Sequence, residues 1–248
     1  MLENINGISS DHFSHLSQAY QSVGGKTWAN NDFLEANLES SRNLFTEESM
    51  IKRCPLPKKL EVFALVAGLP FPQEFINSIT NVQKQISEII GDCLHYWVKP
   101  NNLGVEYCVF KWPTDPWKQE WLEIAQNELE IIQQPAFKFS IGGIQINPDG
   151  CVVARGYDEN STLFNIRDHI KANIDFLPSK QSGWAHVPLG RILEPVGTDK
   201  FAKLAEFISS ISDTLITCTT ISSMKLIHEK RWYMEEKTVL KEYMLNDS

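Results

Sequence analysis

The chain has 248 residues, of which 42% are hydrophobic and 22% charged. That composition supports a buried core and excludes a disordered chain, a collagen and a repeat array. A formal net charge of −8 excludes a strongly basic nucleic-acid-binding domain, while leaving room for a local basic cleft.

The N-terminal residues lack the cationic start and apolar core of a secretory leader. No window approaches the ~20 apolar residues of a membrane helix. No membrane association and a cytoplasmic location are therefore expected. Ser9-Ser10-Asp11 can cap a first helix whose apolar positions Phe13, Leu16, Ala19 and Tyr20 recur at helical spacing, and Gly24-Gly25 stops it. A second helix is expected over 31–44, with Phe33, Leu34, Leu38 and Phe45 buried, and a third short piece after Thr46. Cys54-Pro-Leu-Pro57 ends this segment, because each proline biases its predecessor away from helix. Residues 1–57 thus read as a helical extension packed on a body formed by 58–248.

Gly24-Gly25-Lys26-Thr27 is not a phosphate loop, since Tyr20 stands where the first glycine is needed. His12 and His15 share a helix face, but too few ligands accompany them for a metal site. The five cysteines, at 54, 93, 108, 151 and 218, form no C-x-x-C and read as free thiols. Cys108 and Cys151 fall at buried strand positions.

The body alternates between strand and helix patterns. Strands are expected over 60–67, 94–98, 103–110, 137–141, 150–155, 185–192, 214–221, 224–229 and 238–245. Helices are expected over 71–90, 117–133, 163–174 and 201–212. With no βαβ period, the order indicates an α+β domain. Lys225–Arg231 carries mixed charge suited to a guarded sheet edge. Trp112, Trp117 and Trp121 surround one loop, where they pack a helix start or, if exposed near a cleft, stack a base. There is no nucleophile elbow, zinc box or dinucleotide fingerprint, so no cofactor and no metal are expected.

Two segments occupy equivalent places in the two halves of the body, Pro100-Asn-Asn-Leu-Gly-Val-Glu-Tyr107 and Gly183-Trp-Ala-His-Val-Pro-Leu-Gly-Arg-Ile192. The second resembles the H-x-[ST]-L-x-R strand of the 2H phosphoesterase superfamily, which includes 2′-5′ RNA ligase-like proteins and cyclic phosphodiesterases. The first resembles that family's P-x-N-L-H-x-T strand. Val62–Pro70, Trp97–Pro100 and Lys225–His228 agree with the family's flanking elements in order. The resemblance covers about 60–246. It implies a two-lobed, pseudo-twofold fold with antiparallel-rich sheets, 103–110 and 185–192 being central strands.

The family's chemistry uses two histidines across a cleft, one taking and one giving a proton, with hydroxyls holding the phosphate. Here Gly104 stands at one histidine position, and Glu106 and Pro188 at the two hydroxyl positions; His186 alone is retained. Strand alternation puts Gly104, Glu106 and Cys108 on one face, and His186, Pro188 and Gly190 on the corresponding one, opposite Arg191. The candidate catalytic residues are His186 and Glu106; Gly104, Pro188 and Arg191 are candidate ligand contacts. His95 replaces the missing histidine only if its strand slips in register. The first reading is a catalytically impaired protein binding a nucleotide, an RNA end or a protein partner in the cleft. Alternatives are a rewired phosphodiesterase using Glu106 and His186, and an interaction protein with an unused cleft.

Overall fold

The computed structural model describes residues 10–158 and 160–246, with side chains described from Ser14 onward. The sequence expectations for the Phe13 and His12 side chains lie outside the described residues. Three helices come first: α1 (Ser10–Gly24), α2 (Glu35–Arg42) and α3 (Glu47–Ile51). The body then runs β1 (Lys59–Gly68), α4 (Gln73–Ile90), β2 (His95–Trp97), β3 (Gly104–Lys111) and α5 (Gln119–Glu130). It continues β4 (Phe137–Ile146), β5 (Cys151–Asp158), α6 (Thr162–Asn173), β6 (Val187–Ile192) and α7 (Thr198–Ser210). Strands β7 (Leu215–Ile221), β8 (Ser223–Arg231) and β9 (Glu236–Met244) complete it. The result is a mixed α+β fold with two antiparallel sheets.

Helix α4 shows why the pattern was readable. Phe75, Ile76, Ile79, Val82, Ile86 and Ile90 are buried along one side, and Gly91 at φ 65° ends the helix. Its one buried polar side chain, Gln83, donates to the carbonyls of Val98 (3.1 Å) and Leu189 (2.9 Å), so its burial is compensated. In β1 all residues from Val62 to Ala67 are buried, because this strand is covered on both faces.

The two sheets have the order β3-β1-β8-β9 and β2-β6-β5-β4-β7. Leaving β2 aside, β3, β1, β8 and β9 correspond to β6, β5, β4 and β7. The strand–helix–strand unit β1-α4-β3 likewise corresponds to β5-α6-β6. The correspondence extends to a bulge in each motif strand. Val66 pairs with Glu106 but Leu65 with Cys108; Val153 pairs with Pro188 but Val152 with Gly190. Each bulge follows the second motif position directly and re-aims what comes after it.

Four sequence expectations change. Simple alternation placed Cys108 on the face of Glu106; the bulge turns Cys108 into the main core and puts Val109 on the Glu106 side. The matching bulge brings Arg191 to the face of Pro188, because Arg191 pairs with Cys151 and Pro188 with Val153, which share a face. Strand β3 is an edge rather than a central strand, and β8 is interior, so β9 rather than Lys225–Arg231 forms the guarded edge. A strand's own composition reports burial better than its place in the sheet.

Leu16 and Tyr20 of α1, Leu38 of α2, and Phe33 and Phe45 from the segments flanking α2 join the same buried cluster as the body, whereas Leu34, expected to be buried, is exposed because α2 begins only at Glu35. Tyr20 is fully buried, its hydroxyl donating to the Gly156 carbonyl at 3.3 Å and its ring meeting Trp184 edge-on at 5.1 Å. Thr27 donates to the Ile146 carbonyl at 2.7 Å. We propose that 1–57 is a helical extension packed on the body formed by 58–248. Tyr20→Ala is accordingly expected to cost about 3–5 kcal/mol, as for other buried aromatic truncations. Urea denaturation followed by tryptophan fluorescence measures this; a loss below about 1 kcal/mol would show that the helix does not brace the body.

Candidate functional site

The bulged strands β3 and β6 meet, their Cα atoms approaching within 8 Å. Arg167 of α6 holds them together. Its Nε donates to the Tyr107 carbonyl at 2.7 Å, and its Nη2 to the carbonyls of Glu106 and Trp184, both at 2.6 Å. One guanidinium thus bridges the backbone of the first motif strand and the segment entering the second. Arg167 is 2% exposed, and its Nη1 has no hydrogen-bond partner. Such a residue was legible in part: Leu163, Arg167 and Ile170 share one buried stripe of α6, and a cation in an apolar stripe demands partners.

Glu106 and His186 are half-buried beside this brace, still touching solvent although protein surrounds them. His186 stands immediately before β6 rather than within it. Its ring meets Trp184 edge-on at 5.9 Å, and Trp184 in turn rests on Tyr20. The His186 Nδ1 has no hydrogen-bond partner. Burial raises the Glu106 pKa, and the Arg167 guanidinium opposes this in part. Burial, then Arg167 and Arg191, lower His186 to about 4, so the imidazole is neutral at pH 7. One motif segment thus carries a neutral imidazole and the other a carboxyl group, both under the influence of Arg167.

Gly104 explains how the missing histidine position is used. A Cβ there would lie 3.0 Å from the Ala67 carbonyl oxygen and 3.3 Å from the Leu69 side chain. Leu69 is buried in a small apolar cluster with Val62, Ala64, Val66, Val109 and Ile227 on the Glu106 side of the sheet. The space beside Gly104 is thus filled with hydrocarbon. Pro188 supplies no hydroxyl and no N–H.

Sequence reasoning missed the carboxyl Glu229 on the same sheet face. It is 3% exposed and accepts the Met234 N–H at 2.9 Å. Burial raises its pKa to about 7, with Glu106 adding and the Met234 N–H and Lys237 opposing. Lys225 donates to the carbonyls of Gly68 (2.9 Å) and Leu69 (3.3 Å), and Lys237 to Asn102 (2.7 Å). The β8–β9 turn closes one end: Tyr233 accepts from Arg191 Nε at 2.7 Å, and Glu235 accepts from Tyr96 at 2.6 Å and from Lys99.

Arg191 itself has Nη1 on Ser41 (2.7 Å) and Asp149 (2.6 Å), so its donors bind α2, the β4–β5 turn and the β8–β9 turn. His95 lies on β2 with Nδ1 at 2.6 Å from the Cys93 carbonyl, and β2 pairs with β6 without a slip. The tryptophans pack: Trp117 stacks on Phe63 (4.6 Å) and Trp121 on Phe176 (4.9 Å). His15 is exposed, and no group of three or more metal-ligating side chains occurs among the described residues. Two cavities, of about 470 and 530 Å³, lie elsewhere and include neither Glu106 nor His186.

No protein-family model matches the sequence, and no curated protein matches it. Solved structures do. TT0787 of Thermus thermophilus superposes with a TM-score of 0.57 at 12% identity, covering 75% of this chain and 98% of that one. E. coli LigT in complex with ATP gives 0.53 at 13% identity, covering 76% and 100%. The fold is that of the 2H phosphoesterases. A conserved Agrobacterium tumefaciens protein of unknown function, ATU0111, shares it with a TM-score of 0.54 at 11% identity, covering 74% and 86%. About a quarter of the present chain lies outside each of these superpositions. Among the described residues no helix is long and apolar enough to cross a membrane.

The two shifted groups set opposing pH dependences. His186 binds its proton less readily in the folded state, so its contribution is present above pH 6.5 and is lost as pH falls through about 4. Glu229 binds its proton more readily when folded, so its contribution is present below 4.5 and is lost as pH rises through about 7. Between these limits the two slopes partly cancel. Glu229→Gln is expected to remove one of them and steepen the gain in stability from pH 4 to 6.5. Chemical denaturation across that range measures it; a steeper fall with rising pH would contradict the assignment.

Proposed function

We propose that this chain is a 2H-fold protein that binds a phosphate-bearing nucleotide or RNA end in the β3–β6 cleft without cleaving it. The observation that carries this reading is Gly104, which has no proton-transfer side chain and stands so close to the Ala67 carbonyl (3.0 Å) and Leu69 (3.3 Å) that a larger residue enters only if these neighbours shift. One neutral imidazole remains, its Nδ1 buried without a partner, and its ring can donate or accept one hydrogen bond according to its tautomer. E. coli LigT has been crystallised with phosphate and with 3′-AMP, which supports the ligand class but not the chemistry.

The carboxylate of Glu106 repels a dianionic phosphate, and its raised pKa reduces that repulsion by favouring the neutral acid. Arg167 adds positive potential at both Glu106 and His186. Isothermal calorimetry with 3′-AMP tests the reading. Binding is expected for the wild type, with affinity reduced about tenfold or more by His186→Ala, the loss of one hydrogen bond to a charged group. Absence of heat with 3′-AMP, 2′,3′-cyclic AMP and ATP would move the function to a protein-interaction role.

A further inference from the structure

The two sheets present four edge strands, and three of them are protected. Strand β2 is three residues long. The outer edge of β3 is occupied by side chains: Gln181 both accepts from the Val109 N–H (3.0 Å) and donates to its carbonyl (2.8 Å), and Arg167 takes the carbonyls of Glu106 and Tyr107. Strand β9 carries Glu236, Lys237, Lys241 and Glu242. Short length, covering groups and charge are the usual means by which an edge is kept from pairing with another chain.

Strand β7 has none of them. Leu215-Ile-Thr-Cys-Thr-Thr-Ile221 contains no charge and no proline and is rich in β-branched residues. It pairs with β4 on one side and ends its sheet on the other. Helix α4 packs against β7, and among the described residues no group outside β4 hydrogen-bonds to the backbone of β7. Leu215 is 49% exposed and Cys218 is exposed. A seven-residue strand with these properties is a template for strand addition.

We infer that β7 pairs antiparallel with β7 of a second copy of this chain, joining the two five-stranded sheets into one. An uncharged strand meets no like-charge repulsion from its own copy, and an antiparallel pair of identical strands closes as a twofold dimer. Full overlap fixes the register. Cys218 is the middle residue of β7, so it faces Cys218 of the second copy, while Thr217 faces Thr219 on the other side of the sheet. Directly opposed residues have Cα atoms roughly 4.5–5.5 Å apart, within the ~4.4–6.8 Å that a disulfide spans. The cleft lies on other strands, so this inference is independent of the ligand.

Light scattering on the full chain tests it. The expected mass is twice the 28.3 kDa of one chain. Thr217→Lys with Thr219→Lys sets like charges opposite one another and is expected to give the single-chain mass with an unchanged far-ultraviolet spectrum. Thr217→Lys with Thr219→Glu sets opposite charges across each pair and is expected to keep the dimer. Mild oxidation with diamide is expected to link wild-type chains through Cys218, and Cys218→Ser to abolish the link even though Cys54 is also exposed. A single-chain mass for the wild type at its highest soluble concentration would overturn the inference. So would a dimer that the double lysine variant leaves intact.

Discussion

Arg167→Met is expected to lower the stability of the protein by roughly 3–5 kcal/mol, among the largest effects of any single substitution in the chain. The guanidinium serves three carbonyls, those of Glu106, Tyr107 and Trp184, and all three lose their donor at once. A buried acceptor left without a partner costs ~1–3 kcal/mol, and the three do not add in full because the strands can relax. Burial of the charge offsets part of the gain in the wild type, which is why the estimate stays below the sum. Arg167→Lys should recover only a fraction, since one ammonium cannot span both strands as the planar fork does. Urea denaturation gives the number. A loss below about 1 kcal/mol would mean that β3 and β6 are held by packing alone.

The second large effect concerns rebuilding the absent chemistry. Gly104→His, Glu106→Thr and Pro188→Thr together restore the residue types implied by the resemblance, but the new side chain at 104 meets Leu69 and the Ala67 carbonyl. The triple variant is therefore expected to remain inert toward 2′,3′-cyclic nucleotides. Adding Leu69→Ala opens the space, and turnover is then expected to appear. A positioned proton-transfer group contributes ~10²–10⁴ in rate, so the quadruple variant should exceed the triple by at least about 100-fold. Steady-state assays with 2′,3′-cyclic AMP decide it. Turnover by the triple variant would refute the steric argument; an inert but folded quadruple variant would show that more than the side chains at these positions has been lost.

Much of this was legible in the residues. The helical stripe of α4 and the apolar run of β1 follow from periodicity and burial, and the paired motif segments indicated the two strands that meet at the cleft. The bulges after Glu106 and Pro188 were not legible, because both strands are apolar on the core side and nothing in their alternation marks an inserted residue. They moved Cys108 into the core and Arg191 to the face of Pro188. Glu229 was missed for a related reason. It lies in a mixed-charge stretch that reads as an edge, whereas β8 is interior and buries it. Arg167 stood in plain view in a buried stripe, but its three partners come from segments about 60 and 17 residues away in sequence, and only the fold brings them together.

Phosphorus NMR of 2′,3′-cyclic AMP mixed with an equimolar amount of wild-type protein tests in one experiment whether the cleft holds a phosphate ester and leaves it whole. The cyclic resonance should shift or broaden, return toward its free position when His186→Ala protein is used instead, and persist without a monoester signal over days. A monoester resonance that grows with the wild type and fails to grow with His186→Ala would contradict the proposed function and establish a rewired phosphodiesterase, and an unperturbed cyclic resonance would show that the cleft takes no such ligand.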